Sequence, residues 1–353
     1  MIISNILSFL FIITILVVIH ELGHFIAAKS IGLKVEKFYV GFNLFGLGIK
    51  KKIGETEFGI GLFPIGGYVK VAGMIDESLD DHYNGNHDEY ISKTTLEKVW
   101  FTSGGVIFNF ILAFLLFSTV IYFDGINIPS QEPIIGEVID GEPASIIGLK
   151  QNDIIKSING NQIQTWNDMS SYINNSPNKT IFLEWDRDNL LMSDSIHVKS
   201  TISPYGNTIG IIGIRAILLN ETQGLIGSLK NGFSQTIGWL VLMSYSIFSF
   251  FTGQLGIENF GGPIQIATIA GEASQIGLIA LINLMAILSV NLGIINILPF
   301  PGLDGGHALI AIIEGIIGRR IPFRTLMIIQ QIGVLLLIVF FFIIMKNDIS
   351  RLL

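Results

Sequence analysis

The chain of 353 residues contains no cysteine, which excludes disulfides and thiolate metal ligands and leaves His, Asp and Glu as the side chains able to hold a metal. That absence does not fix a redox compartment. Charge is scarce as well: 14% of residues are charged, against the roughly 25% usual in a soluble domain, while half are hydrophobic. Such a balance excludes an ordinary soluble enzyme and describes a membrane protein with some soluble parts. The formal net charge of −7 says little, because its distribution matters more than its sum.

What is present is long uncharged sequence. Five stretches, 2–19, 99–123, 231–255, 276–303 and 325–345, carry no charge, and each is near or above the roughly 20 residues that cross a bilayer core. The first lacks a basic leader and a small-residue cleavage site, so it is expected to be a retained transmembrane helix rather than a signal peptide. Between the first two stretches lie Lys29, Lys34, Lys37, Lys50, Lys51, Lys52, Lys70, Lys93 and Lys98. The positive-inside tendency makes that loop cytoplasmic and puts the N-terminus outside. Strand-like alternation in 35–49 and 57–71, with Phe63-Pro-Ile-Gly-Gly-Tyr-Val as its most distinctive run, predicts a β-hairpin there. Such a hairpin either offers an edge to an extended substrate segment or merely covers the site. His82 and His87, in the acidic run 76–90, are expected to be solvated loop histidines.

Directly after the first uncharged stretch come His20, Glu21, Leu22, Gly23 and His24. Ionisable groups at membrane depth are costly and mark function. On a helix, residues i and i+4 share a face, so both imidazoles can reach one Zn²⁺ while Glu21, one step round, meets a water at the metal. Cleavage near residue 25 would discard this motif. These residues predict a hydrolase built inside a bilayer.

Between the second and third stretches, 128–203 differs in character. Short β runs alternate with turn signals around a helix start at Glu142-Pro143-Ala144, then Gly148-Leu149, and a strand ending in Asn159-Gly160, a strong hairpin turn. The insert resembles a PDZ domain of the bacterial protease-associated type over about 75 residues, which implies docking or filtering of substrates through a bound peptide or C-terminus, or by bulk.

A catalytic zinc usually keeps three protein ligands and one open position. The best candidate for the third is Asp304, in Asn296-Ile-Leu-Pro-Phe-Pro-Gly-Leu-Asp-Gly-Gly-His307, where prolines and glycines at membrane depth suit the wall of a wet cavity. His307 is not expected to be a ligand, since a fourth would close the open position. Asn296 could hydrogen-bond substrate backbone or a developing oxyanion, or satisfy backbone opened by Pro299; Asn109 and Asn291 are lesser candidates for the same role. For Asp304 to meet the histidines, 276–303 must run inward, which leaves Arg319, Arg320 and Arg324 cytoplasmic. Then 231–255, with its Asn, Gln, Ser and Thr residues, is interfacial or re-entrant, although hydropathy alone would make it a fifth span. Four spans with both termini outside follow.

Together these features resemble the site-2 protease family of intramembrane zinc metalloproteases, most closely its bacterial branch, the regulator-of-sigma-E proteases. The resemblance is carried by HExxH in the first span, Pro-x-Gly-Gly-Tyr-Val, Gly104-Gly105-Val-Ile-Phe-Asn109, the PDZ-like insert, Gly261-Gly262-Pro263-Ile264 and Asn296-x-x-Pro-x-Pro-x-Leu-Asp304-Gly. Val106 stands where the family often has proline, and one PDZ-like unit fits where some members carry two. The resemblance implies hydrolysis of peptide bonds in or beside the bilayer, with His20, His24 and Asp304 as ligands of Zn²⁺ and Glu21 as base. It implies single-span membrane substrates, such as an anti-sigma factor or signal-peptide remnants, and residence in the bacterial inner membrane among lipid, with no nucleic-acid partner. The expected fold is a polytopic α-helical membrane protein with about four transmembrane helices, a cytoplasmic membrane-associated β-hairpin region and one extracytoplasmic PDZ-like α/β domain. Its expected divisions are 1–127, 128–203, 204–275 and 276–353. Two competing classes are a non-catalytic scaffold with a structural metal, for which Glu21 would be superfluous, and a metal transporter, for which ligands at a single depth make no pathway.

Overall fold

A computed structural model describes residues 2–42, 48–61, 63–74, 86–203 and 207–352. In chain order the elements are α1 (Ile2–Ser30), β1 (Val35–Phe42), β2 (Gly48–Ile53), β3 (Thr56–Gly61), β4 (Phe63–Val71) and α2 (Thr95–Asp124). Then come β5 (Ile126–Pro129), β6 (Ile135–Val138), α3 (Pro143–Ile146), β7 (Ile154–Ile158), β8 (Asn161–Gln162), α4 (Trp166–Asn174), β9 (Thr180–Arg187) and β10 (Leu190–His197). They are followed by β11 (Lys199–Ile202), β12 (Thr208–Ile211), β13 (Ile214–Ala216), β14 (Leu218–Glu221), α5 (Leu225–Phe251), α6 (Pro263–Ile276), α7 (Leu278–Ile297), α8 (Asp304–Ile317) and α9 (Phe323–Leu352). Two compact units result, one of Met1–Val120 with Leu229–Leu353, the other Ile121–Ser228.

In the first unit, α1, α2, α7 and α9 are the described helices long and apolar enough to cross a membrane. Helix α5, which covers most of 231–255, is not among them. Much of the apolar surface of α9, from Leu335 to Phe342, faces outward, as a lipid-facing helix requires. Side-chain contacts give the helix directions. Helix α2 runs against α1, because Gly104 abuts Gly23, Asn109 meets His20, and Leu112 packs near Ile12. Helix α7 runs with α1: Leu281 and Met285 join Ile12 and Leu16 in one cluster, and Asn296 reaches His20. Helix α9 runs against α1, from Gln330 beside His307 to Asp348, whose carboxylate accepts the N–H groups of Gly262, Ile264 and Gln265 at 2.8, 2.9 and 3.1 Å and so caps α6. In the N-terminal part of α5, Gly232 packs on Ser118, near the end of α2, and the chain beyond the helix passes Asn347, which donates to the carbonyl of Ile257 at 3.0 Å near the end of α9.

The hairpin expected in the Lys-rich loop is a four-stranded sheet, ordered β2-β3-β1-β4. Each of the alternating stretches 35–49 and 57–71 takes in residues of two strands. Strands β2 and β3 form the tight hairpin, turning at Gly54 with φ of 62°, and this returns β3 parallel to β1 while β4 pairs antiparallel on the other side of β1. Among the described residues, strand β4 is therefore an edge of this sheet. Buried Lys98, at the start of α2, pairs with Glu314 of α8 at 3.1 Å, and Glu314 also accepts the N–H of Ile321 at 3.0 Å. Losing either partner would strand a buried charge, at a cost of about 3–5 kcal/mol, so this pair fixes α8 against α2.

The second unit has its own apolar core around Trp185, Ile155, Ile158, Met169, Ile181 and Leu183. Its main sheet is ordered β10-β9-β7-β8. The Asn159-Gly160 turn joins β7 to β8 as expected, with φ of 50° and 79°, the paired positive values of a type I′ hairpin. Helix α3 starts at Pro143, and α4 is opened by a capping box between Thr165 and Asp168. Hydrogen bonding to the carboxyl by the Thr165 side chain and backbone N–H holds Asp168 below its ordinary pKa. A bidentate pair from Arg187 to buried Asp153, both contacts 2.7 Å, ties the end of β9 to the start of β7. Strands β12, β13 and β14 carry the unit past Ser203, each only three or four residues long.

Candidate active site

Helix α1 remains helical through the H-E-x-x-H sequence, so His20 and His24 share one face and both are buried. Helix α7 ends at Ile297, where the Pro-x-Pro-Gly segment breaks it, and Asp304 is the first residue of α8, a favourable place for a carboxylate at a helix N-terminus. Three donor atoms converge as a result. His20 Nε2 lies 3.1 Å from Asp304 Oδ2, His24 Nε2 lies 3.2 Å from the same oxygen, and the two Nε2 atoms are 3.2 Å apart. A near-equilateral triangle of this edge is one face of a tetrahedron whose centre is about 2.0 Å from each corner, the Zn–N and Zn–O bond length. Two imidazoles, one carboxylate and an open fourth direction therefore fit a catalytic zinc site. Among the described residues, this is the one group of three His, Asp or Glu side chains placed to share a metal.

The other ring nitrogens are also held. His24 Nδ1 donates to the carbonyl of Phe101 at 2.9 Å, which leaves Nε2 with its lone pair directed at the triangle. His20 Nδ1 meets the side chain of Asn109 at 3.1 Å. Both partners come from α2, and α2 can come so close because its residues there are glycines. A Cβ on Gly104 would stand 2.6 Å from the carbonyl oxygen of Gly23, and one on Gly105 would stand 2.5 Å from both His20 Cε1 and His24 Nε2. Gly105→Ala should therefore displace the imidazoles, lower zinc content and cleavage together, and cost about 1–3 kcal/mol as an overpacked core does. Metal analysis beside a melting curve checks this; full zinc content would refute it.

A cavity of about 420 Å³ opens beside the triangle, lined by His20, Glu21, His24 and Asp304 and, across from them, by Gly67, Tyr68, Val69 and Lys70 of β4. Gly67 is where the strand passes the catalytic candidate: a Cβ there would be 3.2 Å from Glu21 Cγ. Among the described residues β4 is an edge strand, and it runs along the same cavity as the expected base. Asn296 reaches the triangle, its Nδ2 3.3 Å from His20 Nε2. His307 lines the cavity with its Nε2 3.3 Å from Gln330 Nε2 and is not one of the three converging donors. His87 is exposed, and His82 lies outside the described residues. Sequence reasoning missed the Phe101 carbonyl, which no side-chain pattern marks. It also gave Asn109 only a share in an oxyanion role. Adjacent glycines within an apolar span were the available sign of close helix approach.

A membrane-embedded helical frame that converges two histidines of an HExxH helix and a distant aspartate on one point, beside a glutamate, defines a membrane metalloprotease. The model of peptidase family M50 matches residues 8–340, and the chain belongs to that family. A Campylobacter jejuni protein provisionally named a zinc metalloprotease is 33% identical over 350 residues, covering 98% of this chain and 93% of that protein. The regulator of sigma-W protease RasP of Bacillus subtilis is 27% identical over 427 residues and covers all of both chains. Among solved structures, the PDZ domain of an SdrC-like protein of Listeria monocytogenes matches 26% of this chain and 94% of its own, at 20% identity and a TM-score of 0.22.

Proposed function

We propose that this M50 peptidase is a zinc-dependent intramembrane endopeptidase that cuts single-span membrane proteins in or near their membrane segment. The observation that carries the reading is the triangle of His20, His24 and Asp304 donors, 3.1 to 3.2 Å on each side, with Glu21 on the same cavity wall. His20, His24 and Asp304 would hold the ion; when bound, zinc supplies Lewis acidity to amide hydrolysis. Glu21 takes the proton of the attacking water and returns it to the leaving amine. Asn296 offers a side-chain N–H where negative charge develops on the scissile carbonyl. The edge of β4 holds the substrate as an added strand, which suits a peptide that must leave its own helix before its backbone can be reached. Substrates with helix-breaking residues near the cut are favoured for the same reason. A metal held only for structure would leave Glu21 without a task.

The Bacillus relative is named a regulator of sigma-W protease, and membrane-bound anti-sigma factors are accordingly one proposed substrate class; signal-peptide remnants are a second. We place the protein in the cytoplasmic membrane of a bacterium as four spans, α1, α2, α7 and α9. The Lys-rich sheet and the site then lie toward the cytoplasm, and a PDZ-like unit within Ile121–Ser228 screens substrates outside. Helix α5 would dip in and return, which suits its packing: Gly232 in its first half meets Ser118 near the end of α2, and the chain after it meets Asn347 near the end of α9. The cysteine-free chain makes the topology directly testable. Single cysteines at exposed Ser171, Gln254 and Ser350 should react with an impermeant reagent from outside, and one at exposed Lys51 should not. Opposite behaviour of Ser171 and Gln254 would make α5 a fifth crossing and defeat this arrangement. The activity itself is tested by incubating purified protein in detergent with a single-span anti-sigma factor, with and without a chelator; cleavage that survives complete removal of metal would sink it.

A further inference from the structure

The two zinc-facing histidines are supported in different ways. His24 Nδ1 faces the backbone carbonyl of Phe101, a group that can only accept, so its ring is committed to carrying hydrogen on Nδ1. His20 Nδ1 faces a carboxamide, that of Asn109, which can both donate and accept. Asn109 has none of its surface exposed, and its Oδ1 is buried with no hydrogen-bond partner. Its backbone is pinned as well: the carbonyl of Asn109 accepts the hydroxyl of Ser289, a fully buried residue of α7, at 2.7 Å. A half turn of the amide exchanges its two ends: it brings the unused oxygen to the ring nitrogen 3.1 Å away and puts Nδ2 in the oxygen's place.

We propose that Asn109 is the positioning residue of His20, presenting Oδ1 to the ring so that Nδ1 carries the proton and Nε2 keeps its lone pair for the metal. This rests on reading the donor triangle as a zinc site. Facing the ring with Nδ2, the amide serves the other tautomer, in which Nε2–H points at Asp304 Oδ2, 3.1 Å away. A carboxamide supports both arrangements by turning through half a circle, and a backbone carbonyl supports only one. His20 is thus the ligand whose tautomer follows metal loading, with Asn109 turning to match, while His24 stays fixed. Ser289 acts behind it by holding α2 at the right height on α7.

Zinc affinity, measured by competition with a chromogenic chelator in detergent, tests this in the Glu21→Gln background, where self-cleavage plays no part. Asn109→Leu keeps the volume and removes the acceptor, and should weaken zinc by about 10–100-fold, the cost of losing a partner that orients a metal-bound histidine. Asn109→Asp keeps the acceptor and removes the donor, so it should bind zinc at least as tightly as the parent. A residue that merely fills space would give the reverse pattern, tolerating Leu and suffering from a buried carboxylate. Unchanged affinity in Asn109→Leu, or weaker binding in Asn109→Asp than in the parent, would overturn the proposal. If Asn109→Leu fails to fold, the Asp variant alone decides, because weaker binding by it contradicts the acceptor role. Absence of zinc binding in the parent would instead overturn the zinc reading itself.

Discussion

Glu21→Gln should keep a full complement of zinc and lose cleavage by about 10²–10⁴-fold, the range that a positioned proton acceptor contributes. The amide has the shape of the carboxylate, so the packing of Glu21 against Gly67 of β4 is preserved and the cavity wall is unchanged. What disappears is the only proposed group that can take the water proton without leaving the metal. Metal content and turnover must be measured on the same preparation. Substantial turnover with zinc present would remove Glu21 from the mechanism, and loss of zinc would mean that its carboxylate holds the site together.

Asp304→Ala should lose zinc outright under conditions where the parent retains it. The triangle has three corners, and two imidazoles on one helix cannot replace the third, because the next potential ligand on α8, His307, is turned toward Gln330. Loss of a direct ligand should exceed the roughly 10–100-fold weakening caused by loss of an outer partner. Helix α8 would also lose the acidic residue of its first turn, but that is worth about 0.3–1 kcal/mol and cannot account for loss of the metal. Asp304→Asn separates the two effects, since it retains a hydrogen-bonding side chain at the helix start but is a poor zinc ligand. A full zinc content in either variant would take Asp304 out of the site.

Much of this arrangement is written locally. The i, i+4 histidines, the uncharged run before them and the proline–glycine break before Asp304 each state their geometry within a dozen residues, because helix periodicity and helix breaking are local physics. The Asn159-Gly160 turn and the helix start at Pro143 were legible for the same reason. What could not be read depends on neighbours far along the chain. The parallel pairing of β1 with β3 leaves no mark in alternation, which records burial and not partner identity. Strands β12 to β14 are too short to carry a pattern. Asn109 is one asparagine in an apolar helix, and its meaning appears only when His20, 89 residues earlier in sequence, is set 3.1 Å from it. Helix α5 was a span by hydropathy and a poor one by parity; the apolar length criterion that α1, α2, α7 and α9 meet leaves it out.

The division of the triangle between α1 and α8 also has a consequence in time. His24 and Asp304 are 280 residues apart. At a synthesis rate of roughly 5–20 residues per second, on the order of 15–60 s separate their appearance. For that interval a chain that already holds α1 carries the proposed base and two of the proposed ligands but no complete centre. A chain whose translation stops early never acquires one. On the proposed function, in which enzyme and substrates share one membrane, the protein is thereby kept inert toward those substrates until almost all of this sequence has been made.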